Sequence, residues 1–121
     1  FIPPLAYKYL NLLVELGNGS DYLLPARKAN SKSSYISAST LNKFIDRVAS
    51  DLKFVVHELR HTTRTLLSSL QIEDDVAESY ISHSKLLYLD DPRHKYSERK
   101  HAALLLSNLI ETLIKRVHEE K

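Results

Sequence analysis

His57, Arg60 and His83 are the residues of this chain whose types and spacing could do chemistry. His57-Glu58-Leu59-Arg60-His61-Thr62 reads H-x-L-R-H-T and runs into Thr63 to Leu70, a stretch with helical character. Side chains three apart on a helix share a face, so His57 and Arg60 would address one anion together. Arginine suits a phosphate: its planar fork gives two parallel hydrogen bonds and its charge does not titrate away. The H-x-x-R pattern by itself is better explained as a helix start carrying a surface arginine. Its meaning depends on what surrounds it.

The elements that must position these residues are mostly helices. Pro3 and Pro4 suit a helix start, where a missing N–H costs nothing. Leu5, Tyr9, Leu12, Leu13 and Leu16 recur at three- and four-residue steps, and Gly17-Asn18-Gly19-Ser20 ends that helix, with Gly17 or Asn18 taking a left-handed stop. Tyr22-Leu23-Leu24-Pro25 is a short apolar segment, followed by a polar surface loop from Arg27 to Ser34. Ser37 or Ser39 can cap the next helix, whose apolar stripe is Leu41, Phe44, Ile45 and Val48. Phe54-Val55-Val56 leads into the H-x-L-R helix, with Leu59, Thr63, Leu66, Leu67 and Leu70 facing the core. Gln71 to Asp75 makes a turn that sets three carboxylates at the N-terminus of a short helix, Val76 to Ile81, where the helix dipole favours them. Ser82 to Lys95 is the least regular part. A long final helix follows from Tyr96 to about Glu119, with Ala103, Leu106, Leu109, Ile110, Leu113 and Val117 on one side. The reading is mainly α: five or six helices, little strand, no internal repeat, and a single domain over residues 1–121.

Composition narrows the classes. At 121 residues the chain is long enough for one domain with a core and short for two. The absence of cysteine excludes disulfides and thiolate chemistry and makes the cytoplasm the default compartment. No apolar run approaches the roughly 18 residues of a membrane span. A net charge of +2 permits nucleic-acid binding without requiring it. His94 and His101 lie seven apart with no carboxylate cluster around them, which does not make a metal site. Neither a metal, a cofactor, a small-molecule substrate nor a membrane partner is expected. The opening Phe1-Ile2-Pro3-Pro4-Leu5 carries no initiator methionine, so the chain reads as an excised piece of a longer protein.

With the helices placed, the segments fall into a known order. His57 to Leu70 closely resembles the H-D-L-R-R-T-x-x-T-L-L block of tyrosine recombinases, particularly phage-type integrases. Tyr80-Ile81-Ser82-His83-Ser84 is similar to that family's later histidine block, and Tyr96-Ser97-Glu98-Arg99-Lys100-His101-Ala102-Ala103-Leu104 to its Y-x-E-x-R-x-A-L helix start. At the front, Ile2-Pro3-Pro4-Leu5 resembles the V-P-L-S entry and Leu23-Leu24-Pro25 the L-F-P segment. The blocks span nearly the whole chain in the family's order, and the H-x-L-R-H-T-x-x-x-L-L block is the specific one. The resemblance implies a bacterial or phage-derived site-specific recombinase that cleaves and rejoins DNA through a 3′-phosphotyrosine, without ATP or metal. This chain would be the C-terminal, multi-helical part of that DNA breaking-rejoining catalytic domain. The partner implied is double-stranded DNA, with self-association of the protein on it. By resemblance Arg60 matches the second of two phosphate-clamping arginines, His57 the histidine that bonds the phosphate and assists proton transfer, and His83 the later phosphate-contacting histidine. Fixed cations at that position meet the charge that gathers on a phosphodiester under attack. Arg27, Lys28, Lys32, Arg64 and Arg93 are the expected DNA contacts, though the Arg27–Lys32 loop also suits plain solvation.

The chain departs from the family pattern in two places. The first arginine, the hairpin lysine and their strands lie upstream of the V-P-L block and so would precede residue 1, which predicts no cleavage by this piece alone. The Y-x-R-x-x-Y-x-E pattern puts the nucleophilic tyrosine five before Tyr96, where the chain has Asp91, although Arg93 fits. A carboxylate there is repelled by the phosphate it should attack. Tyr88 is the nearest candidate nucleophile and Tyr96 the second choice; both also suit ordinary half-buried tyrosines. A degenerate, non-cleaving DNA-binding module of the same fold is the alternative.

Overall fold

The computed structural model describes residues 1–27, 33–51, 53–81 and 95–120. Five helices carry them: α1 (Pro4–Leu16), α2 (Ala38–Val48), α3 (Glu58–Ser69), α4 (Asp74–Tyr80) and α5 (Tyr96–Glu119). Among the described residues the only strand-like pairing is an isolated antiparallel bridge between Pro25 and Tyr35. None of these helices is long and apolar enough to cross a membrane. Contacts divide the chain into two compact units, Phe1–Ala6 with Arg60–Lys121, and Tyr7–Leu59, so the boundaries fall inside α1 and in the first turn of α3.

The unit holding Arg60–Lys121 owns the core. Leu67 of α3, Val76 and Ala77 of α4, and Ala102 and Leu106 of α5 are buried together, with Leu66, Leu70, Ile72, Tyr80 and Ile110 packed around them. Alanines at 77 and 102 leave no side-chain bulk between the helices, so α4 and α5 approach closely. Thr63 is half-buried as its spacing predicts. Leu59 is not: expected in the core, it is 50% exposed. It occupies the first turn of α3, before the helix reaches the level at which Leu67 meets α4.

The α3–α4 connection closes by hydrogen bonding. Gln71 takes a left-handed conformation (φ 58°). Its N–H donates to the Ser68 carbonyl at 3.0 Å, and the Ile72 N–H donates to the Leu67 carbonyl at 3.1 Å. These are the two bonds of a Schellman stop, and the accompanying apolar contact is present because Ile72 packs on the cluster that contains Leu67. A glutamine in this conformation strains its Cβ against its own backbone by about 1–2 kcal/mol. Gln71→Gly removes that strain but makes the unfolded chain more flexible, at a cost of about 0.5–1 kcal/mol. The expected net result is a stabilisation of about 0.5–1 kcal/mol, read by urea denaturation. Gln71→Val should shift the midpoint the other way, since a β-branched side chain tolerates this conformation least.

The Tyr7–Leu59 unit is held by shorter-range bonds. α1 ends with Asn18, not Gly17, in the left-handed region (φ 47°), followed by Gly19 at 81°. The Asn18 N–H bonds the Glu15 carbonyl at 3.2 Å. The Pro25–Tyr35 bridge is flanked by Ala26 N–H to Ser34 and Ile36 N–H to Leu24, both 3.0 Å. The rings of Tyr22 and Tyr35 pack at 5.3 Å. Ser37 occupies the N-cap of α2, but its hydroxyl pairs with those of Ser39 and Thr40, each at 2.9 Å. Asn42 of α2 accepts the Val56 N–H at 3.0 Å, tying the approach to α3 back onto α2. Glu58 then reaches back to accept the Val55 N–H at 2.8 Å, securing the turn that leads into α3.

Candidate functional site

α3 begins at Glu58, so His57 stands in the turn one residue before it and Arg60 lies in its first turn. His57 is exposed, whereas Arg60 is half-buried. The Arg60 guanidinium donates through Nη1 to the carbonyl oxygen of Ile81, the residue capping the C-terminus of α4. A cation is favoured there because the carbonyls at a helix C-terminus carry partial negative charge. Ile81 is followed two positions later in the sequence by His83. Arg60 is thereby fastened to the end of α4, on the unit that also holds α5. One edge of its guanidinium is committed to this carbonyl.

Arg64, one turn further along α3, is placed differently. Its Nε donates to Glu78 Oε1 at 2.7 Å and its Nη2 to Asp74 Oδ1 at 2.8 Å. Both carboxylates belong to α4, so this guanidinium clamps α3 to α4, and the pairing holds its pKa above the ordinary arginine value. Arg64 was expected among the DNA contacts. In the structure two carboxylates offset its charge, and the fork that would grip a phosphate is in use.

A second ion pair joins α4 to the start of α5. Lys95 Nζ donates to Asp75 Oδ2. The bond from Lys95 holds the Asp75 carboxyl below its usual range, against the opposing effect of desolvation, and the Val76 N–H adds to it at 2.7 Å. The same bond raises Lys95. A depressed carboxyl contributes stability that is present above its ordinary pKa of about 3.9 and lost as pH falls through the lower folded value. The raised lysine contributes stability present below about 10.4 and lost as pH climbs through its higher folded value. The pair therefore predicts an acid-side loss beginning near pH 4 and none across neutrality. Asp75→Asn should flatten that acid limb while lowering the thermal midpoint at pH 7, a comparison that thermal unfolding from pH 2 to 8 makes directly. An unchanged acid limb would mean that the pair does not couple to folding.

The other expected site residues divide between placed and unplaced. Arg27 lines a groove of about 680 Å³ in the Tyr7–Leu59 unit, shared with Tyr35, Leu41, Lys43, Phe44 and Arg47. The Arg47 guanidinium lies over the Phe44 ring at 5.8 Å. Lys43 and Arg47 were missed in the sequence, although their spacing of four on a helix was a usable sign. Tyr96 opens α5 and lines a cleft with Ser79, Tyr80, Arg99 and Lys100. His83, Tyr88, Asp91, Arg93, Lys28 and Lys32 lie outside the described residues. Among the described residues no cluster of histidine, aspartate and glutamate could hold a metal ion. No protein-family model, curated protein or solved structure matches this chain.

Proposed function

We propose that the chain is the C-terminal part of a phage-type tyrosine recombinase catalytic domain, whose parent cleaves and rejoins DNA through a 3′-phosphotyrosine. The reading rests on the ordered sequence blocks around His57, Arg60, His83 and Tyr96. The observation that supports it best is Arg60, held half-buried on the carbonyl that ends α4, two residues before His83 in the chain. A preorganised arginine of this kind stabilises charge on a transferring phosphate without reorganising as the reaction proceeds. His57 would bond the same phosphate and move the proton, and His83 would make the third contact. Tyr88, or Tyr96 in second place, would supply the nucleophile. DNA, approached from the cytoplasm by several copies of the protein, would be the partner.

Asp91, at the position of the family's nucleophile, favours a second reading. In it the fold is kept as a DNA-binding module and cleavage is lost. Covalent trapping separates the two. The full-length parent is incubated with nicked duplex spanning its own junction, digested, and mapped by mass spectrometry. A phosphopeptide adduct on Tyr88 or Tyr96 establishes the recombinase and names its nucleophile. Retention of DNA with no adduct establishes the binding module. No DNA affinity at low salt sinks both.

A further inference from the structure

The stop of α1 sets two groups that can react with each other side by side, with neither held. Asn18 and Gly19 are both exposed and both left-handed, at φ 47° and 81°. The amides around them are bonded. Gly17 N–H donates to the Leu13 carbonyl at 2.9 Å, Asn18 N–H to Glu15 at 3.2 Å and Ser20 N–H to Gly17 at 3.1 Å. Tyr22 N–H donates to the Ser20 hydroxyl, also at 3.1 Å. Among the described residues, the Gly19 N–H has no acceptor and the Asn18 carboxamide has no partner. Beyond its chain neighbours, no atom lies within 4 Å of the place a Cβ would take on Gly19. A glycine nitrogen is also the least hindered, on the backbone freest to rotate toward a side chain.

The other described asparagines are placed differently. Asn11, Asn42 and Asn108 lie inside α1, α2 and α5, where the N–H of the following residue is tied into the helix. Asn42 is further engaged by the Val56 N–H.

We propose that Asn18 is a site of spontaneous modification, closing to a cyclic imide with Gly19 and opening to aspartate and isoaspartate, and that this conversion undoes the stop of α1. The Gly19 nitrogen loses its proton to hydroxide and attacks the Asn18 Cγ. A Cγ–N bond forms, the Cγ–Nδ2 bond breaks, and ammonia leaves with a proton taken from water, which restores the hydroxide. Water then opens the imide. Addition at Cγ gives aspartate, and addition at the Asn18 backbone carbonyl carbon gives isoaspartate. The sum is a water consumed and an ammonia released. Both products suit this turn badly. α1 has no basic residue in its last turn, so a new carboxylate meets the negative end of the helix without an offsetting cation. Isoaspartate adds a carbon to the main chain between Gly17 and Ser20, which takes the Ser20 N–H out of register with the Gly17 carbonyl. The site is separate from the residues around Arg60 and does not depend on the chain being a recombinase.

The test is ageing of the 121-residue chain at neutral pH and body temperature, in buffer and in urea, with peptide mass mapping and an isoaspartate methyltransferase assay. The peptide carrying Asn18 should gain the mass of an amide-to-acid change with first-order kinetics. Its rate in buffer should lie within a few-fold of the rate in urea, and should be higher at pH 8 than at pH 6 because the N–H must lose a proton. Asn18→Gly should abolish the conversion and keep the fold, since glycine is the usual residue at such a stop. Gly19→Ala should slow it. In the aged protein, the amide NMR signals of Leu13 to Ser20 should move. A peptide that stays intact in buffer yet converts in urea overturns the proposal, because the fold then protects the site. So does conversion confined to another asparagine. Converted protein whose α1 signals are unchanged overturns the claim that the stop is undone.

Discussion

Leu67→Ala is expected to destabilise the chain by about 3–5 kcal/mol, the upper part of the range for leucine truncation in a core. Leu67 is fully buried, and it is the only large side chain among the described residues to be so. Its neighbours Val76, Ala77, Ala102 and Leu106 include two alanines whose side chains end at Cβ. Short side chains cannot swing into a void, so the cavity left by the missing isobutyl group stays open and its full cost is felt. Domains of this kind have about 5–15 kcal/mol in total, and few buried apolar residues place this one low in that range. The substitution should therefore leave Arg60–Lys121 partly unfolded at room temperature. Urea denaturation gives the comparison, with Leu113→Ala as control. Leu113 is 43% exposed and its truncation should cost less than about 1 kcal/mol. Equal costs for the two would show that the α3–α4–α5 cluster is not the core.

The contrast between Leu67 and Leu113 also shows what sequence patterning can and cannot reveal. Periodicity placed α5 from Tyr96 to Glu119, and the helix has those bounds. It also predicted one continuous stripe from Ala103 to Val117. Ala103, Leu106 and Ile110 do pack, but Leu113 and Val117 stand 43% and 54% exposed. The reason is length. At about 1.5 Å per residue a 24-residue helix runs roughly 36 Å, and the seven-residue α4 can cover only about 10 Å of it. Periodicity reports which face is apolar, not whether another element is long enough to cover it. Leu59 likewise keeps the helical phase of α3 but lies about two turns before Leu67, and it is exposed. Local chemistry was more legible. Asn18 was a named candidate for the left-handed stop of α1, and Ser37 for the cap of α2. The Schellman stop at Gln71 was not foreseen, because glutamine is not a residue that announces that conformation.

For the candidate site, the sequence names the residue types but not the partners each side chain takes. His57-x-x-Arg60 suggested two side chains on one helical face, but α3 starts at Glu58 and leaves His57 outside it. Arg60 and Arg64 are four apart and look interchangeable in sequence. What separates them is where carboxylates fall on α4. Asp74 and Glu78, themselves four apart, present one acidic edge that Arg64 bridges. Among the described residues, Arg60 donates to a carbonyl at the helix end. No reading of α3 alone could assign those partners, because they depend on how α4 is turned.

That difference makes Arg60 the substitution with the largest expected effect on function. On the proposed recombinase reading, Arg60→Ala in the full-length parent should cut the yield of covalent DNA adduct by roughly 10²–10³, the usual cost of losing one preorganised donor from a charged transition state. Arg60→Lys should be nearly as damaging, since a point charge on a flexible stem cannot both bond the Ile81 carbonyl and offer a fork to phosphate. DNA affinity should fall far less, with a salt slope shallower by about one, because many phosphate contacts share that work. Arg64→Ala is the internal control. Its charge already faces two carboxylates, so its loss should lower the thermal midpoint yet leave adduct yield within a few-fold at temperatures where the protein stays folded. If instead the two arginine variants lose adduct in proportion to their lost stability, Arg60 is a strut between α3 and α4, and the phosphate clamp must be sought elsewhere. If Arg60→Lys keeps both fold and DNA binding but loses the adduct, the guanidinium is acting on the phosphate itself.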